Sequence, residues 1–251
     1  MCESCGCGDE SVVPVEVHDR LLAANDRTAD HLRHHFGELG VLALNLMGSP
    51  GSGKTALLEA TARLAAGRMS LGALSGDLAT DRDAARLRAA GIPAREITTG
   101  SACHLDAELV HRALHDFPWR DLDVLFIENV GNLVCPAIYD LGQAANIVAL
   151  SITEGEDKPL KYPVMFRKAD LVLLTKVDLL PHLPDVRLSA LTEALARVMP
   201  SPALLPVSAR TGEGMDAFLD WLSARVSPAP RFGRAPTKEI DVSPHRAARP
   251  G

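Results

Sequence analysis

Between Val41 and Thr55 the chain passes directly from an apolar stretch into a glycine-rich loop, and this junction restricts the fold more than any other feature. Val41-Leu42-Ala43-Leu44-Asn45-Leu46-Met47 has the near-continuous hydrophobicity of a strand buried on both faces. Gly48-Ser49-Pro50-Gly51-Ser52-Gly53-Lys54-Thr55 then fits G-x-x-x-x-G-K-[ST] without a mismatch, and a helical pattern runs from Thr55 to about Ala66. Strand, loop and helix in that order form the setting in which such a loop wraps phosphate groups. The glycines let backbone N–H groups turn inward around an anion. The helix N-terminus adds partial positive charge. Lys54 is placed to reach the β- and γ-phosphates, and the Thr55 hydroxyl to ligate Mg²⁺.

Similar apolar runs recur near Leu71–Leu74, Val124–Ile127, Ile147–Ile152, Leu171–Leu174 and Leu204–Val207. Helical patterns such as Asp81–Ala90, Asp106–Phe117, Leu188–Met199 and Gly214–Val226 lie between or after them. Strands alternating with helices predict βαβ units, hence an α/β fold with a mainly parallel sheet flanked by helices. Ahead of the first strand, Val17, Leu21, Leu22, Leu32 and Phe36 predict a helix from Val15 to about Gly37, stopped at Gly37 or Gly40. His31, His34 and His35 read as its solvated face, and His111 and His115 as the solvated face of a later helix. The expected organisation is a Cys-rich leader over 1–14, a nucleotide-binding domain over 15–226 and a disordered Pro/Ala/Arg tail over 227–251.

A chain of 251 residues can bury roughly three quarters of its unfolded surface, so disulfide staples are not needed. The net charge of −6 argues against a general electrostatic hold on nucleic acid. No apolar run reaches the roughly 20 residues of a membrane span. The first residues lack the basic and apolar regions of a secretion signal, so the expected compartment is the cytoplasm. In a reducing compartment, five cysteines point to metal binding or reactive thiols rather than bridges.

The base-reading residues come later in the chain. Thr175-Lys176-Val177-Asp178 follows an apolar run, and Ser208-Ala209-Arg210 follows the next. The pair resembles the guanine-reading elements of GTPases. Asp178 accepts from the guanine N1–H and exocyclic amine, which adenine lacks as a pair. The Lys176 stem lies along the base, and the Ala209 N–H donates to O6. Thr175 stands where Asn is commoner; its hydroxyl reaches less far, leaving open how tightly the base loop is tied to the phosphate loop. Asp77 ends the second apolar run, placed to hold Mg²⁺ through water or to orient the attacking water. Asp81 reads better as a helix cap. Glu128 through Gly131 match D/E-x-x-G, making Glu128 a second metal-shell candidate and Gly131 a γ-phosphate sensor.

Cys2, Cys5 and Cys7 place three thiols within six positions beside the chain terminus. Three sulfurs and one amine nitrogen complete a planar four-coordinate set suited to Ni²⁺, whereas four thiolates would favour Zn²⁺. Gly6 occupies the position a haem-attachment motif needs for His.

Taken together, Cys2-Glu3-Ser4-Cys5-Gly6-Cys7, the cradle, Gly76-Asp77, the segment from Glu128 to Pro136 (ENVGNLVCP), TKVD, and Thr211 to Leu222 resemble the HypB family of hydrogenase nickel-incorporation GTPases. The resemblance covers about residues 1–226 and implies a dimerising, GTP-hydrolysing protein that delivers nickel with partners. These include a zinc/nickel protein such as HypA and, indirectly, the hydrogenase large subunit. It also implies an internal nickel or zinc site at Cys103, His104 and Cys135 near the dimer interface. Lys158 and Lys161 are candidates for a contact across the dimer. Cys135 lies four residues after Gly131, so nucleotide state is expected to alter metal affinity. A urease-type nickel GTPase, an ATPase and a passive metal-storage module are the competing readings.

Overall fold

The computed structural model describes residues 15–77, 82–100 and 104–227, excluding the side chains of residues 15–19 and of Asp77. Seven parallel strands form one sheet in the order β3-β2-β4-β1-β5-β6-β7. They are β1 (Leu42–Met47), β2 (Leu71–Asp77), β3 (Ala94–Thr98), β4 (Val124–Glu128), β5 (Ala145–Ser151), β6 (Leu171–Thr175) and β7 (Leu204–Pro206). The helices are α1 (Val15–Leu39), α2 (Lys54–Ala65), α3 (Arg82–Ala89), α4 (Ala107–Leu114), α5 (Lys158–Lys161), α6 (Pro163–Arg167), α7 (Leu188–Val198) and α8 (Met215–Ser223). No described helix is long and apolar enough to cross a membrane.

Strand β1 lies at the centre, and all six of its residues are buried. Its alternation divides the core. Leu42, Leu44 and Leu46 pack with Leu57 and Leu58 of α2, Leu87 of α3 and Phe218 of α8. On the opposite face, Ala43 joins Leu32 and Phe36 of α1 and Val110 and Leu114 of α4. Met47, also on that face, joins Phe166 of α6 and Leu195 of α7. Between Ala43 and Met47 sits Asn45, a buried polar residue that is satisfied by its neighbours. It accepts from Asn129 Nδ2 at 3.1 Å and donates to Asn146 Oδ1 at 3.0 Å. A line of amides thus crosses the sheet from the end of β4 to β5.

The apolar runs locate six strands, and β3 is the one they miss. Arg95 and Glu96 interrupt its hydrophobicity because an edge strand has one neighbour and only Ala94 and Ile97 need burial. The short helices α5 and α6 also fall outside the predicted pattern. Helix α1 passes through Gly37 and ends at Gly40, whose φ is +64°. Val41 N donates to Phe36 O (2.9 Å) and Gly40 N to Gly37 O (3.2 Å), which is the paired closure of a Schellman cap.

Helix α1 is docked at both ends of its buried stripe. Asn25 Oδ1 accepts from Ala107 N at the start of α4, and Asn25 Nδ2 donates to Asp140 O, both at 2.9 Å. Gly142 lies against the helix backbone with φ +76°; a Cβ there would sit 2.7 Å from both Ala29 O and Leu32 Cβ. Gly142→Ala therefore combines backbone strain with overpacking and should destabilise the fold by about 1–3 kcal/mol. Arg33→Ala, which removes an exposed ion pair to Asp140, should cost under about 1 kcal/mol. Urea unfolding of the two variants checks the order.

Candidate functional site

The C-terminal ends of β1, β2, β4 and β6 meet around the start of α2, where the crossover from β1 runs to one side of the sheet and that from β4 to the other. Gly51 (φ +76°) and Gly53 (φ +95°) turn the backbone back on itself before α2 begins at Lys54. Lys54 is buried, and its Nζ donates to Gly48 O (3.1 Å) and Ser49 O (3.2 Å). Burial draws its pKa down, against the carboxylates of Glu128, Asp83 and Glu154. An ammonium has three protons to donate. Two reach neutral carbonyls among the described residues, which leaves the ammonium able to donate to an anion as well.

Thr55 Oγ1 donates to Glu128 Oε1 at 2.8 Å, and Ser75 Oγ donates to Glu128 Oε2 at 3.2 Å. Burial pushes the Glu128 carboxyl upward, while the Thr55 hydrogen bond and the Lys54 charge hold it down. Hard oxygen donors beside an under-compensated carboxylate are a donor set that fits Mg²⁺. Asp77 closes β2 in register with Thr98, and Gly76 lines the same cavity. The Asp77 side chain lies outside the described residues, as do Asp81, Cys103, Cys2, Cys5 and Cys7.

Gly131 rests on the phosphate loop. A Cβ there would come within 2.9 Å of Pro50 Cγ and 3.0 Å of Pro50 N, so no side chain fits between the two segments. The cavity formed has a volume of 470 Å³ and is also lined by Asp83, Arg86 and Asn129.

The base loop is tied to the phosphate loop by two bonds. Thr175 Oγ1 donates to Ser52 O at 2.6 Å, and Lys176 Nζ donates to Gly51 O at 2.6 Å. The threonine therefore does make the connection that its short side chain left open. Lys176 takes a left-handed conformation (φ +63°) as the chain turns. Asp178 Oδ1 accepts from Ser208 Oγ at 2.7 Å, which fixes the carboxylate. A second cavity of 330 Å³ is lined by Lys176, Asp178, Ala209 and Arg210, and it shares Gly53 and Ala56 with the first. The two together form one cleft from Glu128 to Asp178.

Several participants carried no sequence signal. Ser75 reaches Glu128 only because β2 pairs with β4. Ser49 hydrogen-bonds Glu154, which in turn pairs with Lys158 at 3.0 Å. Lys158 thus has a local partner, as does the exposed Lys161, 2.7 Å from Asp157. His104 stacks on Tyr139 with ring centroids 3.9 Å apart, and burial draws its pKa down despite nearby Asp106. Tyr139 follows the turn Cys135–Ala137, so the His104 and Cys135 segments adjoin. Among the described residues no three His, Cys, Asp or Glu side chains form a ready metal set.

The central strand, the glycine-turned loop and the joined base loop give this chain the P-loop GTPase fold. Residues 42–204 match the nucleotide-binding domain of the CobW/HypB/UreG family. The chain is 51% identical over 208 residues to the hydrogenase maturation factor HypB of Azotobacter chroococcum, covering 83% of this chain and 68% of that protein. It is 46% identical over 211 residues to HypB of Escherichia coli K12, covering 84% and 72%. The crystal structure of HypB from Helicobacter pylori in complex with nickel superposes with a TM-score of 0.76 at 39% identity, covering 82% of this chain and 99% of that one. The chain belongs to the HypB family of hydrogenase maturation factors.

Replacing Thr175 by Val removes the only side-chain donor described on Ser52 O while keeping the volume. GDP affinity should fall roughly tenfold, the worth of about one buried hydrogen bond. Thr175→Ser should restore it, and fluorescence titration with a labelled GDP checks both.

Proposed function

We propose that this protein hydrolyses GTP and uses the cycle to deliver nickel during maturation of [NiFe] hydrogenase. The continuous cleft from Glu128 to Asp178, closed by the Thr175 and Lys176 bonds to the phosphate loop, carries the nucleotide part of the reading. The Asp178 carboxylate selects guanine, Lys54 neutralises β/γ-phosphate charge, and inward backbone N–H groups hold the chain of phosphates. Thr55 with Glu128 and Asp77 would hold Mg²⁺, which would supply neutralisation of phosphate charge. Gly131 senses the γ-phosphate through its backbone.

Nickel is the cargo. Cys103, His104 and Cys135 form an internal S/N site able to take nickel or zinc, and Cys2, Cys5 and Cys7 form a leader site. The coupling reading rests on Gly131 packing against Pro50, with Cys135 four residues onward. It also rests on Leu105 N donating to Asn129 Oδ1 (3.2 Å), which links the His104 segment to the end of β4. The protein acts as a cytoplasmic homodimer with a zinc/nickel partner such as HypA, and serves the hydrogenase large subunit indirectly.

Lys54→Ala should lower kcat for GTP hydrolysis by about 100-fold or more. Asp178→Asn should weaken GTP and favour XTP, whose 2-carbonyl accepts from an amide, and competition binding with GTP, XTP and ATP reads this directly. Faster ATP than GTP turnover by the unaltered protein would refute the base assignment. For the coupling, nickel affinity of a chain lacking residues 1–8 should differ at least about fivefold between GDP and GTP-analogue forms. Equal affinities would remove it.

A further inference from the structure

Away from the nucleotide cleft and the Cys135 segment, helix packing gathers imidazoles that the sequence scatters over 80 positions, from His31 to His111. His31 and His35 are one turn apart on α1, and their Nε2 atoms face each other at 3.1 Å. Two neutral rings can share one proton at this distance. The same distance is also the chord between two nitrogens bound to one ion: with metal–nitrogen bonds of about 2.05 Å it gives an N–metal–N angle of roughly 98°. The rings stand edge to face, with centroids 4.3 Å apart. His111 of α4 lies against the same pair, its ring centroid 5.8 Å from that of His31.

The surroundings favour an ion. Glu38 places its carboxylate between two rings of α1, 3.3 Å from His34 Nε2 and 3.6 Å from His35 Nδ1, so negative charge lies behind His35. A carboxylate behind a ligating imidazole is the usual outer support of a histidine–metal bond. Beside His35 an open cleft of 590 Å³ between α1 and α4 is lined by His111, His115 and Asp116, with Arg112 and Arg120 also on its wall. Apolar packing of Leu32, Phe36, Val110 and Leu114 beneath holds the two helices in place.

We propose that His31 and His35 form the core of a second transition-metal site, with His111 as third ligand. No three described ligands converge as they stand. His111 is exposed and reaches the ion by rotating its side chain. Imidazole donors without thiolate select late first-row divalent ions, Ni²⁺, Cu²⁺ and Zn²⁺, over Mg²⁺ or Ca²⁺. Asn25, six positions before His31 on α1, lines a cavity together with His104, so the two metal regions lie about 9 Å apart along one helix. The proposal does not depend on nickel delivery to hydrogenase.

The test uses the full chain with all five cysteines replaced by serine, which removes every thiol ligand. Equilibrium dialysis should retain one Ni²⁺ per chain. His31→Ala with His35→Ala should abolish retention, and Glu38→Gln should weaken it about tenfold. His111→Ala should weaken it without abolishing it. On the unaltered chain, with the thiol sites already filled by Ni²⁺, further Ni²⁺ should broaden the His31 and His35 ring-proton resonances first. This second measurement stands if the serine variant fails to fold. Undiminished retention in the double alanine variant, or unbroadened His31 and His35 resonances at saturating nickel, overturns the proposal.

Discussion

Four carbonyls of the phosphate loop accept hydrogen bonds from side chains, and the nucleotide cleft depends on how those bonds orient the loop. Lys54 reaches the oxygens of Gly48 and Ser49, Lys176 that of Gly51, and Thr175 that of Ser52. In a planar trans peptide the C=O and the following N–H point in opposite directions. Gripping an oxygen from one side therefore aims an N–H to the other. The glycines supply the conformational freedom, but the side chains decide the direction. Two of those donors lie on the base loop, so the element that reads the base also shapes the element that holds the phosphates.

The end of β4 serves a comparable double purpose. Glu128 faces Thr55 and Ser75, whereas its neighbour Asn129, pointing the other way, bonds Asn45 and caps the Leu105 N–H. Alternation along a strand makes this inevitable. One residue looks into the phosphate cavity, and the next is wired into the amide line under the sheet and the segment holding His104. A shift of this strand end is felt on both sides. Because Asn129 and Asn45 are buried, breaking the line would leave polar groups unpartnered, so the strand end moves with its neighbours or hardly at all.

The central strand, the cradle and the base loop were legible because each is written in consecutive residues whose chemistry is local. The sheet's far edge was not: Arg95 and Glu96 break β3 below the apolar run by which the other strands were read, since an edge strand is solvated on one side. Thr175 was legible as a position but not as a contact, because reach depends on where β6 sets its end relative to Ser52. Ser75, Glu154 and Asn45 were invisible for a related reason. A serine or asparagine acquires its meaning only from the residue across the ladder, and register is a property of the fold. The histidines of α1 show the same limit. Helical spacing placed them on one face, but the approach of His111 depends on how α4 lies on α1.

The charges in the cleft pull against their burial. Lys54 and Glu128 are both buried, and burial shifts each toward its neutral form, the lysine down and the glutamate up. Their mutual attraction opposes this without cancelling it. Burial thus works against the charged form of both groups, as it does for any ion pair set in a protein interior. An anion at Lys54 relieves one side and a cation at Glu128 the other, and each arrival raises the field that favours its counterpart. An anion beside Lys54 and a divalent cation beside Glu128 would therefore favour each other, a positive linkage. Glu128 ends the strand from which the chain runs on to Gly131 and Cys135, so the carboxylate beside Thr55 and the glycine resting on Pro50 belong to one continuous segment.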